Sequence, residues 1–242
     1  MRAFIYKKTK DTKTERTQRP SLQACKDGLC CGRRLDMNKR DYKQCGRGEF
    51  YHIYNRGNGK ESIFLDDQDC RFFLGRLCQI LSPETKTKDR IQPLPVNSFS
   101  LISYCIMPNH FHFLIQQNGD IPTSKLIAKL CTSYSKYFNN KYSRVGHVFQ
   151  DKFKQINVHD NRYLMWLSCY IHQNPKVAGL VRRAEDYIWS SLSDFLGRQG
   201  GVVCSKEIIL EQFSTPDDYK KYVESSYEII MQNKSMRELL LD

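Results

Sequence analysis

No run of apolar residues in this 242-residue chain approaches the ~18 to 20 needed to span a bilayer. The start, Met1-Arg2-Ala3-Phe4-Ile5-Tyr6-Lys7-Lys8, also lacks the apolar stretch of a secretory signal. A membrane partner is not expected, and a cytoplasmic location is. Cysteine is too sparse for a disulfide scaffold. The ten residues are about 4 per cent of the chain, against the ~8 to 10 per cent that marks such scaffolds, so they read as reduced thiols. Cys25, Cys30, Cys31 and Cys45 follow a C-x4-C-C-x13-C spacing, without the C-x2-C pairs that hold tetrahedral zinc. No G-x-x-x-x-G-K phosphate loop and no internal repeat occur, so nothing points to ATP.

What the chain does have is positive charge, unevenly spread. The net charge is +12, and residues 1–48 hold 14 basic against 5 acidic side chains, while residues 49–242 hold 24 against 21. An excess of this kind suits a polyanion, because Lys and Arg that neutralise phosphates release condensed counterions. Residues 1–48 therefore read as a basic arm without apolar periodicity. Residues 49–198 read as the main domain and 199–242 as a small helical extension. Within that extension Ile208-Ile209-Leu210, Tyr222-Val223 and Leu239-Leu240-Leu241 are the expected packing positions.

The main domain alternates strand and helix signals. Phe50 to Tyr54 is β-prone and ends in Asn55-Arg56-Gly57-Asn58-Gly59, a turn. Asp66-Asp67-Gln68-Asp69 supplies helix-starting acids before Phe72, Phe73, Leu77, Ile80 and Leu81 on one face. Pro83 to Pro95 is a polar loop. Asn97–Met107 and Phe111–Gln116 form two strands broken by Pro108-Asn109, and a helix carries Leu126, Ile127, Leu130, Tyr134 and Phe138 as far as Asn139. Lys154–His159 is a fourth strand, and Asp160-Asn161 caps a helix over 162–173 that Pro175 and Gly179 close. The order β-α-β-β-α-β-α predicts an α+β fold, a ferredoxin-like antiparallel sheet with helices on one face.

The chemistry concentrates in Met107-Pro108-Asn109-His110-Phe111-His112-Phe113-Leu114-Ile115. Side chains alternate along a strand, so His110 and His112 share one face while Phe111, Phe113 and Ile115 point to the core. Two imidazoles side by side can grip a divalent cation, or they are simply the polar face of a sheet. Leu114 stands where a third alternating His would be needed for a His triad. On the later helix, Tyr163, Trp166 or Leu167, Tyr170 and Asn174 fall on one stripe. A phenol beside an amide, facing two imidazoles, is the least equipment for attacking a phosphodiester; the alternative is a packed aromatic and a helix-ending Asn.

Several stretches in one order resemble those of a known family. They are Tyr54-Asn55-Arg56-Gly57-Asn58, Met107 to His112, Gly146-His147-Val148-Phe149-Gln150, Tyr170-Ile171-His172-Gln173-Asn174-Pro175, and Asp186-Tyr187-Ile188-Trp189-Ser190-Ser191. Over roughly residues 50–195 the chain resembles the HUH transposases with one catalytic tyrosine, in the branch of REP-associated tyrosine transposases that act on single-stranded DNA. The resemblance implies that Tyr170 is the nucleophile, that His110 and His112 are metal ligands, and that Asn174 takes the place of a third ligand that is Gln in some relatives. It implies metal-dependent nicking and strand transfer of single-stranded or hairpin DNA through a 5′-phosphotyrosine, by a monomer or a homodimer. The cation would be Mg²⁺ or Mn²⁺, since nitrogen ligands favour Mn²⁺ and abundance favours Mg²⁺. A phenol ionises near pH ~10, so the nucleophile needs help at neutral pH.

Arg56, Asn58, Lys125, Lys129, Lys136, Arg144, Lys152 and Lys154 are candidate DNA contacts, with Tyr134, Tyr137 and Phe149 as stacking surfaces. Tyr137 and Tyr142 are rival nucleophiles by residue type, but Lys141 and Gly146 stand four positions after them, where Tyr170 has Asn174. His147, His159 and His172 lie outside the paired motif, and His52 is a neighbour of the site if its strand lies beside that of His110. The competing reading is a domesticated nucleic-acid-binding protein of the same fold without transposition activity.

Overall fold

The computed structural model describes residues 46–81, 93–198 and 204–239. The basic arm up to residue 45 with its four cysteines, most of the Pro83–Pro95 loop and the packing role given to Leu239-Leu240-Leu241 lie outside what is described. The elements run β1 (Phe50–Arg56), α1 (Asp67–Leu81), β2 (Phe99–Met107), β3 (His110–Gln117), α2 (Thr123–Lys141), β4 (Lys154–Val158) and α3 (Asn161–Val177). The short helices α4 (Leu192–Phe195) and α5 (Glu207–Leu210), then α6 (Pro216–Ser225) and α7 (Tyr227–Leu239), follow. The four strands form one antiparallel sheet in the order β2-β3-β1-β4, which is the ferredoxin-like arrangement the element order predicts.

The two-residue alternation of each strand builds two chemically different faces. Register places Ile53 beside Phe113 and Phe113 beside Tyr104, and all three are buried with Phe111 and Ile115. Phe73 of α1 stacks over this face, 5.1 Å from Phe111 and 5.9 Å from Phe113, and Tyr134 of α2 lies 5.0 Å from Phe73. The two helices of the βαββαβ unit thus share one face. The other face carries Tyr54 beside His112 and Cys105 beside His112. It is covered by α3, whose Tyr170 ring reaches those of His52 and His112.

Helix starts follow their caps. Asp66 Oδ1 accepts from Asp69 N–H at 3.0 Å while Asp69 Oδ2 accepts from Leu65 N–H at 2.8 Å, a reciprocal lock at the start of α1. Lys141 at the end of α2 then pairs with both carboxylates, 2.7 Å from Asp66 and 2.8 Å from the fully buried Asp69. Asp160 caps α3 by accepting from Arg162 N–H at 2.9 Å. Pro175 does not close that helix. It sits inside the last turn, where a missing N–H costs one bond, and Ala178 N–H still donates to Asn174 O at 2.9 Å. The helix ends instead at Gly179, whose φ of 73° suits glycine.

The helices after residue 204 pack back onto α3. His172 is buried between Tyr219 of α6, 2.8 Å from its Nδ1, and Ser191, 2.8 Å from its Nε2. Tyr219 OH reaches Ser168 Oγ at 3.1 Å, and Ser168 Oγ–H donates to the Met165 carbonyl at 2.8 Å. Because Ser168 spends its proton on that carbonyl, Tyr219 donates to Ser168 and His172 Nδ1–H donates to Tyr219, while the single Ser191 hydroxyl proton is shared between His172 Nε2 at 2.8 Å and the Tyr104 carbonyl at 3.2 Å. Gln173 Nε2 adds a bond to the Val223 carbonyl at 2.7 Å. These contacts fix the rotation of α3, and with it the direction in which Tyr170 points.

Candidate active site

The hairpin tip Pro108-Asn109 joins β2 to β3 in two residues, so His110 is the first residue of its strand. The tip is held from outside. Ile63 and Phe64 N–H donate to the Pro108 carbonyl at 2.8 and 2.9 Å, and Gly57 N–H donates to the Asn109 carbonyl at 2.7 Å. Asn109 Nδ2 donates to the Lys60 carbonyl at 3.1 Å. A carbonyl can only accept, so this bond turns Oδ1 of Asn109 toward His110, whose Nδ1 lies 2.6 Å away. His110 therefore carries its proton on Nδ1 and leaves Nε2 with a lone pair.

His112 follows one residue later on the same face, its ring 5.0 Å from that of His110. Its Nδ1 lies 2.9 Å from Nε2 of His52 on β1, a contact whose proton either ring can carry. Burial disfavours the imidazolium at all three positions. It pushes His52 down to about 3. It pushes His110 down to about 4, with the Arg56 charge as a second cause. It holds His112 well below the ordinary value, helped by His110 and His52. Neutral rings with Nδ1 occupied and Nε2 open are the state in which His binds metal. Among the described residues no group of three His, Cys, Asp and Glu side chains is placed to hold an ion, so a third ligand from these residues would be of another type.

Tyr170 comes to this face from α3, its ring 5.8 Å from His112 and 6.2 Å from His52, both edge-on. Behind it Trp166 stacks at 5.4 Å and Tyr163 on Trp166 at 5.8 Å, which fills the earlier turns of the stripe with aromatic surface. Asn174 lies one turn beyond Tyr170, and its Nδ2 donates to the Tyr170 carbonyl at 2.9 Å. That bond uses the amide nitrogen, so the amide oxygen is the atom that could serve a cation. Two imidazoles and an amide oxygen are donor types that would suit a divalent ion of the Mg²⁺ or Mn²⁺ type.

The basic candidates divide. Arg56 is the register partner of His110, and Lys154 that of Tyr54, with Nζ 6.0 Å from the Tyr54 ring. Both are on the imidazole face. Asn58 donates N–H to the Val148 carbonyl and Gln150 N–H donates to the Arg56 carbonyl, both at 2.9 Å. Arg56 and Gln150 are also joined through their side chains, so the Gly146-to-Gln150 motif braces the edge of the site. Lys152 is exposed in the same turn. Lys125, Lys129 and Lys136 lie on α2, which packs on the face of the sheet opposite the imidazoles. Arg144 is paired with Glu61 at 3.3 Å.

Tyr137 and Tyr142 are also on the far face, bonded to Asp69 at 3.1 and 2.9 Å. His147 and His159 are exposed, and His172 is committed to its buried network. Asn109 has no site role in the sequence reading. The signal was in the sequence, an amide immediately before the first His, but its action depends on the Lys60 carbonyl, which arrives from another loop.

Residues 93–174 match the model of the family described as "Transposase IS200 like", a stretch that contains His110, His112, Tyr170 and Asn174. Among solved structures the chain is similar to a REP-associated tyrosine transposase bound to a REP hairpin, at 16% identity and TM-score 0.49, over 66% of this chain and 91% of that one. A crystal structure from Deinococcus radiodurans R1, described as that of a candidate transposase, is similar at 14% identity and TM-score 0.35, over 54% and 96% of the two chains. No curated protein matches. The resemblance read from the motifs thus agrees with the family model that residues 93–174 match.

Proposed function

We propose that this chain nicks single-stranded DNA and rejoins it through a covalent tyrosine intermediate. The observation that supports this reading is the convergence, within one chain, of the Tyr170 ring on the paired imidazoles. The Tyr170 phenol oxygen attacks the scissile phosphorus, the bond from phosphorus to the 3′ oxygen breaks, and that oxygen leaves as a 3′-hydroxyl after taking a proton. The phenol loses its own proton and becomes a 5′-phosphotyrosine. One phosphodiester is exchanged for another, so attack by a 3′-hydroxyl on the intermediate reverses the step without an energy source. A divalent cation held by His110, His112 and Asn174 would neutralise charge on the scissile phosphate and orient it. Arg56 and Lys154 supply positive charge on the same face for the flanking backbone. The side chains of α3 set the phenol, and the hairpin tip sets the imidazoles, so both partners in the reaction are positioned before DNA arrives.

The test is incubation with a single-stranded hairpin oligonucleotide and Mn²⁺, followed by denaturing electrophoresis. Wild type is expected to acquire a denaturant-resistant DNA adduct, and Tyr170→Phe to acquire none. An adduct that persists in Tyr170→Phe would move the nucleophile elsewhere and end this reading.

A further inference from the structure

We infer that His52 is a positioning residue for this site: as a hydrogen-bond acceptor it holds His112 in the tautomer whose Nε2 lone pair faces the cation. The inference rests on the proposed function, and it concerns a residue outside both the paired His motif and the matched segment 93–174.

The geometry comes from strand register. Tyr54 is the partner of His112, and His52 that of Leu114, so His52 and His112 are diagonal neighbours on one face. Their rings are nearly parallel, 5.1 Å apart and 21° from coplanar. Nε2 of His52 meets Nδ1 of His112 at 2.9 Å with both side chains buried, 5% and 6% exposed. Between two neutral imidazoles that contact holds one proton, which can sit on either nitrogen. If His52 donates, His112 must carry its own proton on Nε2 and has no lone pair there for an ion. If His52 accepts, His112 carries its proton on Nδ1 and Nε2 is open.

The neighbouring ligand has no such choice. His110 faces an amide oxygen, which only accepts, because the amide nitrogen of Asn109 is spent on the Lys60 carbonyl. His52 therefore does for His112 what Asn109 does for His110, with a partner that can also adopt the wrong state. His52 is not itself a ligand in this arrangement, since its Nε2 is turned to the other ring. Partners of this kind behind a ligating His change metal affinity roughly 10- to 100-fold when removed.

The experiment uses metal-free, ¹⁵N-labelled protein and two variants, His52→Phe and His52→Gln. Long-range ¹H–¹⁵N correlation spectra report the tautomer of His112 without any metal, and electron paramagnetic resonance of free Mn²⁺ reports affinity. In wild type His112 is expected as the Nδ1–H form. His52→Phe keeps ring volume but offers no acceptor, so His112 is expected to shift toward Nε2–H and Mn²⁺ to bind roughly 10- to 100-fold more weakly. In His52→Gln an amide oxygen can replace Nε2 as acceptor, and affinity is expected to return to within about threefold of wild type. Unchanged affinity and an unchanged His112 tautomer in His52→Phe would overturn the assignment while leaving the metal site standing. Equal losses in Phe and Gln variants that both melt like wild type would also overturn it. Failure of wild type to bind Mn²⁺ would remove the proposed function and this inference together.

Discussion

The ring of Tyr170 stands edge-on to that of His112, centroids 5.8 Å apart and planes 84° apart, and both belong to one chain. In the proposed site one copy supplies both the helix and the imidazoles. A mixture of Tyr170→Phe with a His110→Ala, His112→Ala double variant is therefore expected to remain as inactive as either alone. The measure is covalent adduct on hairpin DNA. Recovery of a substantial fraction of wild-type adduct in the mixture would show that α3 is exchanged between copies.

Charge offers a second test, because the sheet separates the basic candidates into two sets. Arg56→Ala and Lys154→Ala are expected to weaken hairpin binding and each to lower the slope of log affinity against log salt by about 1. Lys125→Ala and Lys136→Ala, across the sheet, are expected to leave both nearly unchanged. Fluorescence anisotropy at several salt concentrations separates these outcomes. Equal slopes for all four variants would mean that DNA wraps the far face as well.

The division between these lysines shows what a sequence carries and what it does not. The shared face of His110 and His112 follows from the two-residue period of any strand, and the neighbourhood of Tyr170 and Asn174 from the helical repeat. Those relations are local. Whether α2 lies over the same face as the imidazoles depends on how the sheet is covered, and the lysine positions are equally exposed in either case. The bond between His52 and His112 spans 60 residues and needs the register of β1 on β3. The end of α3 differs from the sequence expectation for another reason: Pro175 removes one N–H near a helix end, where the loss is tolerated, so proline punctuation places the stop too early.

Gly57 tests the clamp on the hairpin tip. Its φ of −62° and ψ of 148° suit any residue, yet a Cβ there would lie 2.2 Å from the Glu61 carbonyl oxygen and 2.8 Å from Ile63 Cγ2. Glycine is required by close approach and not by backbone conformation. Gly57→Ala must push away the segment that bonds Pro108 and Asn109, and is expected to cost about 1 to 3 kcal/mol in urea unfolding. Because Asn109 orients His110, Mn²⁺ affinity should fall with it. A fully stable variant with intact affinity would show that the loop adjusts without disturbing the tip.

The buried network under α3 makes a prediction about pH. His172 has its ionisation pushed down to about 3 by burial, while an unfolded His titrates near ~6.5. Below that pH the unfolded chain takes up a proton that the folded chain refuses, so stability is fully present above about pH 6.5 and declines as pH falls toward 3. Each such His contributes a slope of up to ~1.4 kcal/mol per pH unit in that window. His52 behaves in the same sense, also being held near 3 by burial. His172→Gln can keep bonds to Tyr219 and Ser191 without titrating there, so it is expected to lower the slope between pH 5 and 6 by about one proton. Urea unfolding at closely spaced pH values measures this directly. An unaltered slope in His172→Gln would mean that His172 gains its proton in the folded state, and that donation from His172 through Tyr219 to Ser168 is not the arrangement that holds α3.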